Sequence, residues 1–311
     1  MKFINKLKII STGSYLPAKV IKNDVFIEKF GINKNWIEDN LGIHERRVAS
    51  NNESTSDLAA EAAKDALLNA NMESSEIDLI IVATASPDRL SPSTACIVQE
   101  KISAFNAAAF DISAVCSGFL FSLSVASQYI SSGMYSKILI IGADTFSKFT
   151  NWEDRNSIFF GDGAGAAIIT KSEDSGFLSF KLFSDGRGKN HFTIPAGGSE
   201  NLSSYETIDN FQHFYHMNGK EVYNTGTQVL PVAINQALSQ ANLEIDEIDI
   251  MIPHQPSIKV LKKTAEKIKL PWEKVATNMK YIANTAGGTV PILLHDLNSN
   301  GKLKKKVEII F

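Results

Sequence analysis

The residue best suited to covalent chemistry in this chain of 311 residues is Cys116, which lies within the run Ala109–Leu123. An apolar, strand-like segment leads to the cysteine and a helix-like segment follows it directly. This order predicts that the sulfur lies beside the positive end of a helix, where a thiolate is favoured over a thiol. Cys116 is therefore a candidate covalent nucleophile, and a small buried apolar cysteine is the alternative.

A histidine and an asparagine could serve as its partners. His254 follows the apolar run Ile248–Pro253, and the end of a predicted strand is where α/β proteins carry their chemistry. Asn284 opens a stretch of small residues that enters a helix through Pro291. Its neutral amide suits an oxyanion or an enolate. A hydrogen-bonded loop histidine and a turn asparagine are the alternatives.

Two other motifs predict no site. His213 and His216 have a spacing of three residues, but no cysteine or acidic cluster joins them, so we expect no metal. The glycine-rich run Phe160–Gly165 lacks the spacing of a dinucleotide loop, and no Walker lysine follows it. We interpret this run as a close-packing turn rather than as a phosphate-binding loop.

Composition narrows the class of protein. The chain is 44% hydrophobic and 21% charged, with a net charge of -3, so neither nucleic acid nor an anionic membrane is expected as a partner. Two cysteines, without a signal peptide, fit a reducing cytoplasm, where we expect the protein to reside. No apolar run approaches the ~20 residues of a membrane span. The basic run Lys302–Lys306 predicts a solvated loop before a strand.

A weak internal repeat indicates how the elements are arranged. Ala66–Asp78 and Ala237–Asp249 align without a gap, at a spacing of 171 residues, and 8 of the 13 aligned positions are identical. Both copies have the pattern of a helix end, an acidic turn and a buried strand, which is Leu79–Ala83 in the first and Ile250–Ile252 in the second. The repeat predicts two halves of like fold.

Strands alternate with helices along the chain, which predicts α/β layers. We place the halves at residues 1–172 and 173–311, and the polar region Ser172–Asn218 connects them. The remaining predicted strands are Leu7–Ser11, Ala107–Ile112, Ile138–Ala143, Ala166–Thr170 and Val307–Phe311. The predicted helices run from about Gly118 to Ser131 and from about Val222 to Ala241, and the repeat places helix starts near Ser56-Asp57 and Gly226.

Taken together, these segments resemble β-ketoacyl-acyl-carrier-protein synthase III, a family of the thiolase superfamily, from Ile9 to Phe311. The segments that carry the resemblance are Trp36-Ile37, Gly42–Arg47, Asp111–Phe121, Phe160–Ala167, Met217–Val222, His254-Gln255 and Asn284–Pro291. The resemblance implies a thiolase-like, five-layered αβαβα fold built from two similar halves, and a homodimer. It also implies a catalytic triad of Cys116, His254 and Asn284.

The family's reaction condenses an acyl-CoA primer with malonyl-acyl-carrier protein, with loss of CO2. By the resemblance, Cys116 accepts the acyl group, while neutral His254 and Asn284 both donate hydrogen bonds to the enolate oxygen. The backbone N–H of Cys116 is an expected oxyanion donor. No metal and no redox cofactor are implied.

Several substrate-binding positions depart from the family. Trp36 and Arg155 match residues that hold the CoA adenine, but Asn40 and Asn224 stand where an arginine and a lysine are expected. Lys259, at an expected carrier-protein contact, replaces an arginine. The lost positive charge should weaken attraction to CoA phosphates and to an acidic carrier. Acyl-CoA, acyl-carrier protein and a specialised carrier therefore all stay open as donors.

Two further departures concern the acyl chain and the chain end. Ser91 stands where acetyl-preferring members carry a bulkier residue that lines the partner's acyl pocket, although the nearby Phe146 could fill that space. The family continues past Val307–Phe311 with a glycine-rich turn, which donates to the acyl-oxyanion, and one more strand. Our preferred interpretation is that the sequence is shortened.

Two other functions stay open at this point. The lost basic residues would suit a specialised acyltransferase of secondary metabolism or surface-polysaccharide synthesis. The chain end would suit an inactive partner subunit. A thiolase is disfavoured because thiolases use a second catalytic cysteine, and the only other one, Cys96, lies in a helix-like segment of the first half.

Overall fold

A computed structural model describes residues 7–173, 176–303 and 307–311. Its strands are β1 Leu7–Tyr15, β2 Lys19–Lys22, β3 Glu45–Val48, β4 Leu79–Ala83, β5 Ala108–Ile112, β6 Lys137–Asp144, β7 Gly163–Lys171, β8 Phe192–Thr193, β9 His216–Met217, β10 Ile250–Met251 and β11 Ile309–Ile310. Its α-helices are α1 Asp24–Phe30, α2 Lys34–Leu41, α3 Thr55–Ala70, α4 Thr94–Lys101, α5 Gly118–Ser131, α6 Tyr205–Asp209, α7 Gly219–Ala241, α8 Ile258–Ile268, α9 Met279–Ile282 and α10 Thr289–Ser299.

Five strands form the main sheet, in the order β1-β7-β6-β4-β5. The three strands β5, β4 and β6 are parallel, whereas β7 is antiparallel to both β6 and β1. All residues of β4 are buried, as the continuous apolar run predicts for a strand covered on both faces. The sheet lies between residues 7 and 171, within the predicted first half, and the boundary at residue 172 stays a prediction.

Helices cover both faces of this sheet. One face packs against α3 and α4, whose buried side chains are mainly alanine, so that these helices approach the sheet closely. The opposite face packs against α5 and α10, which contribute larger apolar residues such as Phe119, Leu123 and Leu293. Because α5 and α10 follow the two segments that carry the candidate site residues, this second layer positions the site.

The internal repeat is confirmed in three dimensions. Both copies end a helix at an asparagine in the left-handed conformation, Asn71 after α3 and Asn242 after α7. Each then forms a 3₁₀ turn with a glutamate capping box and enters a strand, which is the fully buried β4 in the first copy and the partly buried β10 in the second. The neighbours of these strands also correspond. β10 lies between β11 and Val275, and β4 lies between β6 and β5.

Glycines in β6 and β7 allow the second half to approach this sheet. A methyl group on Gly142 would lie 2.1 Å from the carbonyl oxygen of Gly287, and one on Gly165 would lie 2.5 Å from the backbone of α10 at Ile292. The run Phe160–Gly165 is thus a close-packing segment, as predicted. However, β7 begins at Gly163, so the glycines belong to a strand as well as to the turn before it.

Several element bounds differ from the predicted ones. The helix α7 begins at Gly219, three residues before the predicted start, because the side chain of Asn218 accepts a hydrogen bond from the backbone N–H of Glu221 and caps it. β1 continues to Tyr15, whereas β11 covers only two of the five predicted residues. The basic run Lys302–Lys306 lies largely outside the described residues. Within the described ranges, none of the helices is both long and apolar enough to cross a membrane.

Candidate active site

Cys116 lies in a tight turn between strand and helix. After β5 the chain forms a 3₁₀ turn, Val115–Ser117, and α5 begins at Gly118. Val115 has a φ of 46°, an uncommon conformation for a β-branched residue. Such strain persists where the surrounding structure imposes it, and it is concentrated at functional sites. The predicted position of the cysteine, at the start of a helix, is confirmed.

Asn284 is held by a backbone bridge to the segment before β7. Its N–H donates to the carbonyl oxygen of Phe159, and its carbonyl oxygen accepts from the N–H of Gly161. Its side-chain Oδ1 accepts from the N–H of Ala286 at 2.9 Å. This bond fixes the orientation of the amide. Within the described part of the chain its Nδ2 group has no acceptor, so the side chain presents a free donor.

His254 follows β10 and reaches the start of α10. Its Nδ1 lies 2.7 Å from the hydroxyl oxygen of Thr289, whose own distance to the carbonyl oxygen of Ala286 is 3.0 Å. Ala286 therefore links His254, through Thr289, to Asn284. Burial lowers the pKa of His254 to about 4, so the imidazole is neutral near pH 7.

The cysteine turn and the asparagine turn meet face to face. The 3₁₀ turn Val115–Ser117 packs against the 3₁₀ turn Ala286–Gly288, which is followed directly by α10. A methyl group on Gly287 would lie 3.5 Å from the carbonyl oxygen of Val115. The structure thus gathers the three predicted residues at one junction between the two repeated units.

A buried carboxylate lies beneath this junction. Asp144, at the end of β6, accepts hydrogen bonds from the hydroxyls of Thr84 and Ser86 and from the N–H groups of Ala85 and Gly287, at 2.7 to 3.1 Å. Burial raises the pKa of its carboxyl to about 6, against the lowering effect of these donors. The residue ties the cysteine-bearing half to the asparagine turn.

The state of the sulfur differs from the predicted one. Burial, and then the nearby charge of Asp144, raise the pKa of the Cys116 thiol to about 12, while its own backbone N–H acts in the opposite direction. The prediction of a resting thiolate is therefore wrong. Desolvation outweighs the position at the start of a helix, and a base must take the proton before the sulfur can attack.

An aromatic cluster borders the cysteine. Phe146, Phe160, Phe192 and Tyr215 pack with ring centroids 4.9 to 6.2 Å apart, and Cys116 contacts this cluster. Phe146 is fully buried within this cluster, and its filling of the space left by Ser91 stays a prediction. These rings form a buried, apolar wall beside the cysteine.

The remaining predicted residues lie farther out. The guanidinium of Arg155 stacks over the indole of Trp36, 5.0 Å from its centroid, so these two are brought together. Asn224 is half-buried on α7, and Lys259 is exposed in the first turn of α8. Ser91 is exposed in the loop before α4. Their substrate-binding roles stay predictions.

The two histidines near residue 215 do not face a common point. His213 contacts the Thr207 hydroxyl, and His216 contacts the Phe211 carbonyl oxygen. No metal-binding group of three or more histidine, cysteine or acidic side chains occurs within the described residues.

Two residues of the site were missed from the sequence. Thr289 stands five positions after Asn284, and Asp144 directly follows the predicted strand Ile138–Ala143. A buried hydroxyl or carboxylate at such positions carries no pattern of its own. The one available signal was that parallel strands such as β6 end at the same edge of the sheet as the cysteine strand.

The layered fold and the junction of cysteine, histidine and asparagine define a condensing enzyme of the thiolase class. Residues 110–186 match the family model for 3-oxoacyl-[acyl-carrier-protein] synthase III, and residues 238–311 match the model for its C-terminal part. The chain belongs to the 3-oxoacyl-[acyl-carrier-protein] synthase III family.

Proteins of this family align with nearly the whole chain. A β-ketoacyl-[acyl-carrier-protein] synthase III of Caldanaerobacter subterraneus is 42% identical, with 96% of this chain and 90% of that protein covered. One from Syntrophomonas wolfei is 41% identical, with coverage of 96% and 91%. The crystal structure of the enzyme from Aquifex aeolicus superposes with a TM-score of 0.89 at 36% identity, covering 97% of this chain and 94% of that one. The thiolase-like fold is confirmed.

Proposed function

We propose that this protein condenses an acyl thioester primer with malonyl-acyl-carrier protein through an acyl-cysteine intermediate, with release of CO2. The observation that carries the proposal is the linked set at the junction of the two halves. There the cysteine turn, with a protonated thiol beside a buried aromatic wall, packs against the asparagine turn, which carries an oriented amide donor and is linked through Thr289 to a neutral imidazole. This set can take up an acyl group and then stabilise an enolate, which the two half-reactions require.

In the first half-reaction, Cys116 attacks the thioester carbonyl of the primer. Its thiol proton must leave as the new S–C bond forms, and the neutral imidazole of His254 is the nearby base. The CoA or carrier thiolate departs and takes up that proton. The backbone N–H of Cys116, in the turn that opens α5, is the proposed oxyanion donor.

In the second half-reaction, the malonyl thioester loses CO2 and the resulting enolate attacks the acyl-cysteine. The free Nδ2 group of Asn284 is suited to donate to the enolate oxygen because Oδ1 is engaged by Ala286. The ring of His254 is the second proposed donor. Cys116 leaves as a thiolate and regains a proton from solvent, so the site returns to its starting state.

The thioester carrier is proposed to bind at the surface defined by Trp36, Arg155, Asn224 and Lys259. The guanidinium of Arg155 covers one face of the Trp36 indole, and we propose that it moves away from that face so that an adenine ring inserts between the two side chains. Lys259 is exposed near Lys262 and Lys263 on α8. Lys263 is half-buried and paired with Glu266, so Lys259 and Lys262 are the two exposed positive charges here, and they would attract an acidic carrier protein chiefly by raising the association rate.

We also propose a homodimer that forms at the edge of the main sheet. Among the described residues, β5 is an edge strand with β4 as its single neighbour in that sheet, and an unpaired edge is a template for pairing with a second chain. Two large apolar side chains in the loops next to it are exposed, Leu90 at 88% and Phe105 at 69%. Ser91 follows Leu90 directly, which agrees with a loop that reaches the partner's acyl pocket.

A labelling experiment tests the first half-reaction. We expect purified protein incubated with acyl-CoAs and acyl-carrier proteins to gain one acyl mass, seen by intact mass spectrometry, and Cys116→Ala to gain none. The matched control is Cys96→Ala, which removes the second cysteine, half-buried on α4, and should label normally. Equal labelling of Cys116→Ala would refute the proposal.

Product analysis tests the second half-reaction. Addition of malonyl-acyl-carrier protein to the acyl-enzyme should release CO2 and yield a 3-oxoacyl product. Acyl transfer to another acceptor without CO2 release would instead identify a specialised acyltransferase. The absence of any acyl-enzyme across the panel would indicate an inactive subunit.

A further inference from the structure

Thr289 is the one residue that touches the His254 ring through a hydrogen bond in the described part of the chain. It is fully buried at the first position of α10. Its hydroxyl oxygen lies 2.7 Å from Nδ1 of His254 and 3.0 Å from the carbonyl oxygen of Ala286. Both distances are those of hydrogen bonds, so the hydroxyl is engaged on two sides.

The two contacts together determine which ring nitrogen carries the proton. A carbonyl oxygen can only accept, so the single hydroxyl proton of Thr289 must point to Ala286. The oxygen of Thr289 then accepts from His254, and this requires a proton on Nδ1. Because burial holds the ring neutral, with its pKa lowered to about 4, Nε2 has no proton and presents a lone pair.

We infer that Thr289 is a positioning residue that holds His254 in the Nδ1–H tautomer and thereby makes Nε2 the acceptor of the Cys116 thiol proton. The inference rests on the proposed function. In this step the S–H proton passes to Nε2 while the sulfur–acyl bond forms. The bond from the acyl carbon to the CoA sulfur breaks, and the departing thiolate takes the proton from Nε2. The positive charge that develops on the ring strengthens the hydrogen bond from Nδ1 to Thr289.

The condensation half-reaction requires the other tautomer of the His254 ring. An enolate oxygen needs a donor, so His254 can assist only with a proton on Nε2. For that tautomer the hydroxyl of Thr289 must turn from Ala286 to donate to Nδ1, which forfeits its bond to the carbonyl. The hydroxyl thus favours acylation and gives no corresponding advantage to condensation, and its removal should separate the two half-reactions.

The test compares Thr289→Val, which has nearly the same shape, with Thr289→Ser, which keeps the hydroxyl. In single-turnover acylation by an acyl-CoA, followed by intact mass, we expect Thr289→Val to be about 10- to 100-fold slower than wild type, the range for loss of a hydrogen bond to a charged group. Condensation from isolated acyl-enzyme with malonyl-acyl-carrier protein should not be slowed. Thr289→Ser should restore the acylation rate.

A spectroscopic measurement on the unaltered protein tests the assignment directly. In protein labelled with ¹⁵N-histidine, the resonances of His254, identified by their absence in His254→Ala, should show a protonated Nδ1 and an unprotonated Nε2. This measurement does not depend on whether Thr289→Val folds.

Two results would overturn the inference. One is an Nε2–H signature in the resting protein, and the other is an equal slowing of both half-reactions in Thr289→Val, which would indicate a purely structural role. Failure of the proposed function would appear differently, as wild-type protein that forms no acyl-enzyme at all.

Discussion

At the scale of single residues, the chemistry of this protein depends on the thiol of Cys116, whose pKa is well above its ordinary value. Burial and the carboxylate of Asp144 both raise the pKa of Cys116, so that about five pH units separate it from neutrality. A high pKa keeps the resting sulfur unreactive towards incidental electrophiles, since the thiolate is the reactive form. It also makes a strong nucleophile once the proton has been removed by a neighbouring base.

Replacement of Asp144 by asparagine should lower the pKa of Cys116. Loss of the negative charge makes the thiolate easier to form, although desolvation, the larger cause, stays and keeps the pKa above its ordinary value. At any pH below that pKa, Asp144→Asn should therefore carry a larger thiolate fraction and react faster with iodoacetamide. The measurement is the alkylation rate of Cys116 between pH 7 and pH 10.

Asp162 provides a matched control for this prediction. It is equally buried, accepts hydrogen bonds from Ser147 and Ala49, and has a pKa raised by burial, but it has no part in the shift at Cys116. Asp162→Asn should leave the pH dependence of alkylation unchanged. Equal acceleration in both variants would show that a general loosening of the fold, and not the charge of Asp144, is responsible.

The sequence predicts the identities of the site residues better than their states. Cys116 and His254 can be selected because each follows a strand-like segment, and Asn284 because it opens a stretch of small residues before a helix; the surroundings of all three resemble one family. The high pKa of the thiol could not be predicted, because it arises from burial and from a carboxylate 28 positions away in the sequence. The contact of Thr289 with His254 is equally invisible, since two loops must fold together before it exists.

At the scale of elements, the approach of α10 to the sheet places the asparagine turn against the cysteine turn. Gly165 and Gly142 permit it, because any side chain at these positions would meet the backbone of the other half. Packing of this kind tolerates little added volume. The same elements thus determine both stability and the geometry of the site.

Replacement of Gly165 by alanine should destabilise the protein and disturb the site. The added methyl group would lie 2.5 Å from backbone atoms of Pro291 and Ile292, so β7 and α10 must separate. We expect a loss of about 1–3 kcal/mol in the free energy of unfolding, measured by urea denaturation, together with slower acylation.

Gly186 is a suitable control, because a methyl group there meets nothing within 4 Å. Gly186→Ala should unfold within ~0.5 kcal/mol of wild type. A Gly165→Ala protein of unchanged stability would show that the two layers can separate freely, contrary to the close packing seen between them.

Helices and strands were predicted well where a local sequence pattern, such as an apolar run, defines them. The five strands of the main sheet and α5 follow from apolar runs and helix signals, and both copies of the repeat adopt the same helix, turn and strand. The short strands β2 and β3 were not predicted, because neither is a continuous apolar run. The start of α7 was placed too late because its cap, Asn218, precedes the apolar pattern. The shortness of β11 could not be predicted, because a strand is defined by its neighbours and the sequence shows only its hydropathy.

At the scale of the whole molecule, the exposed apolar side chains beside β5 predict how two copies associate. Leu90→Glu should dissociate the proposed homodimer, because it would place a charge within a buried contact. The molar mass from analytical ultracentrifugation should fall by half, and acylation should slow if the loop of one chain lines the pocket of the other.

The control for this prediction is Leu68→Glu. Leu68 is 78% exposed on α3, away from the sheet edge, so its replacement should leave the molar mass unchanged. Wild-type protein that sediments as a monomer at micromolar concentration would contradict the homodimer, as would a Leu90→Glu protein that stays dimeric.

The repeat has a consequence for the number of active centres in one chain. The spacing of 171 residues that relates the two repeat copies also relates Val115 to Ala286, which share a φ of 46°, and Cys116 to Gly287. The two positions are therefore counterparts, yet a side chain on Gly287 would lie 2.9 Å from the Asp144 carboxylate that its N–H binds. The symmetry is therefore broken sterically, because the hydrogen bond between Gly287 and Asp144 leaves no space for a second cysteine side chain at position 287. Each chain can thus carry an acyl group on one cysteine only.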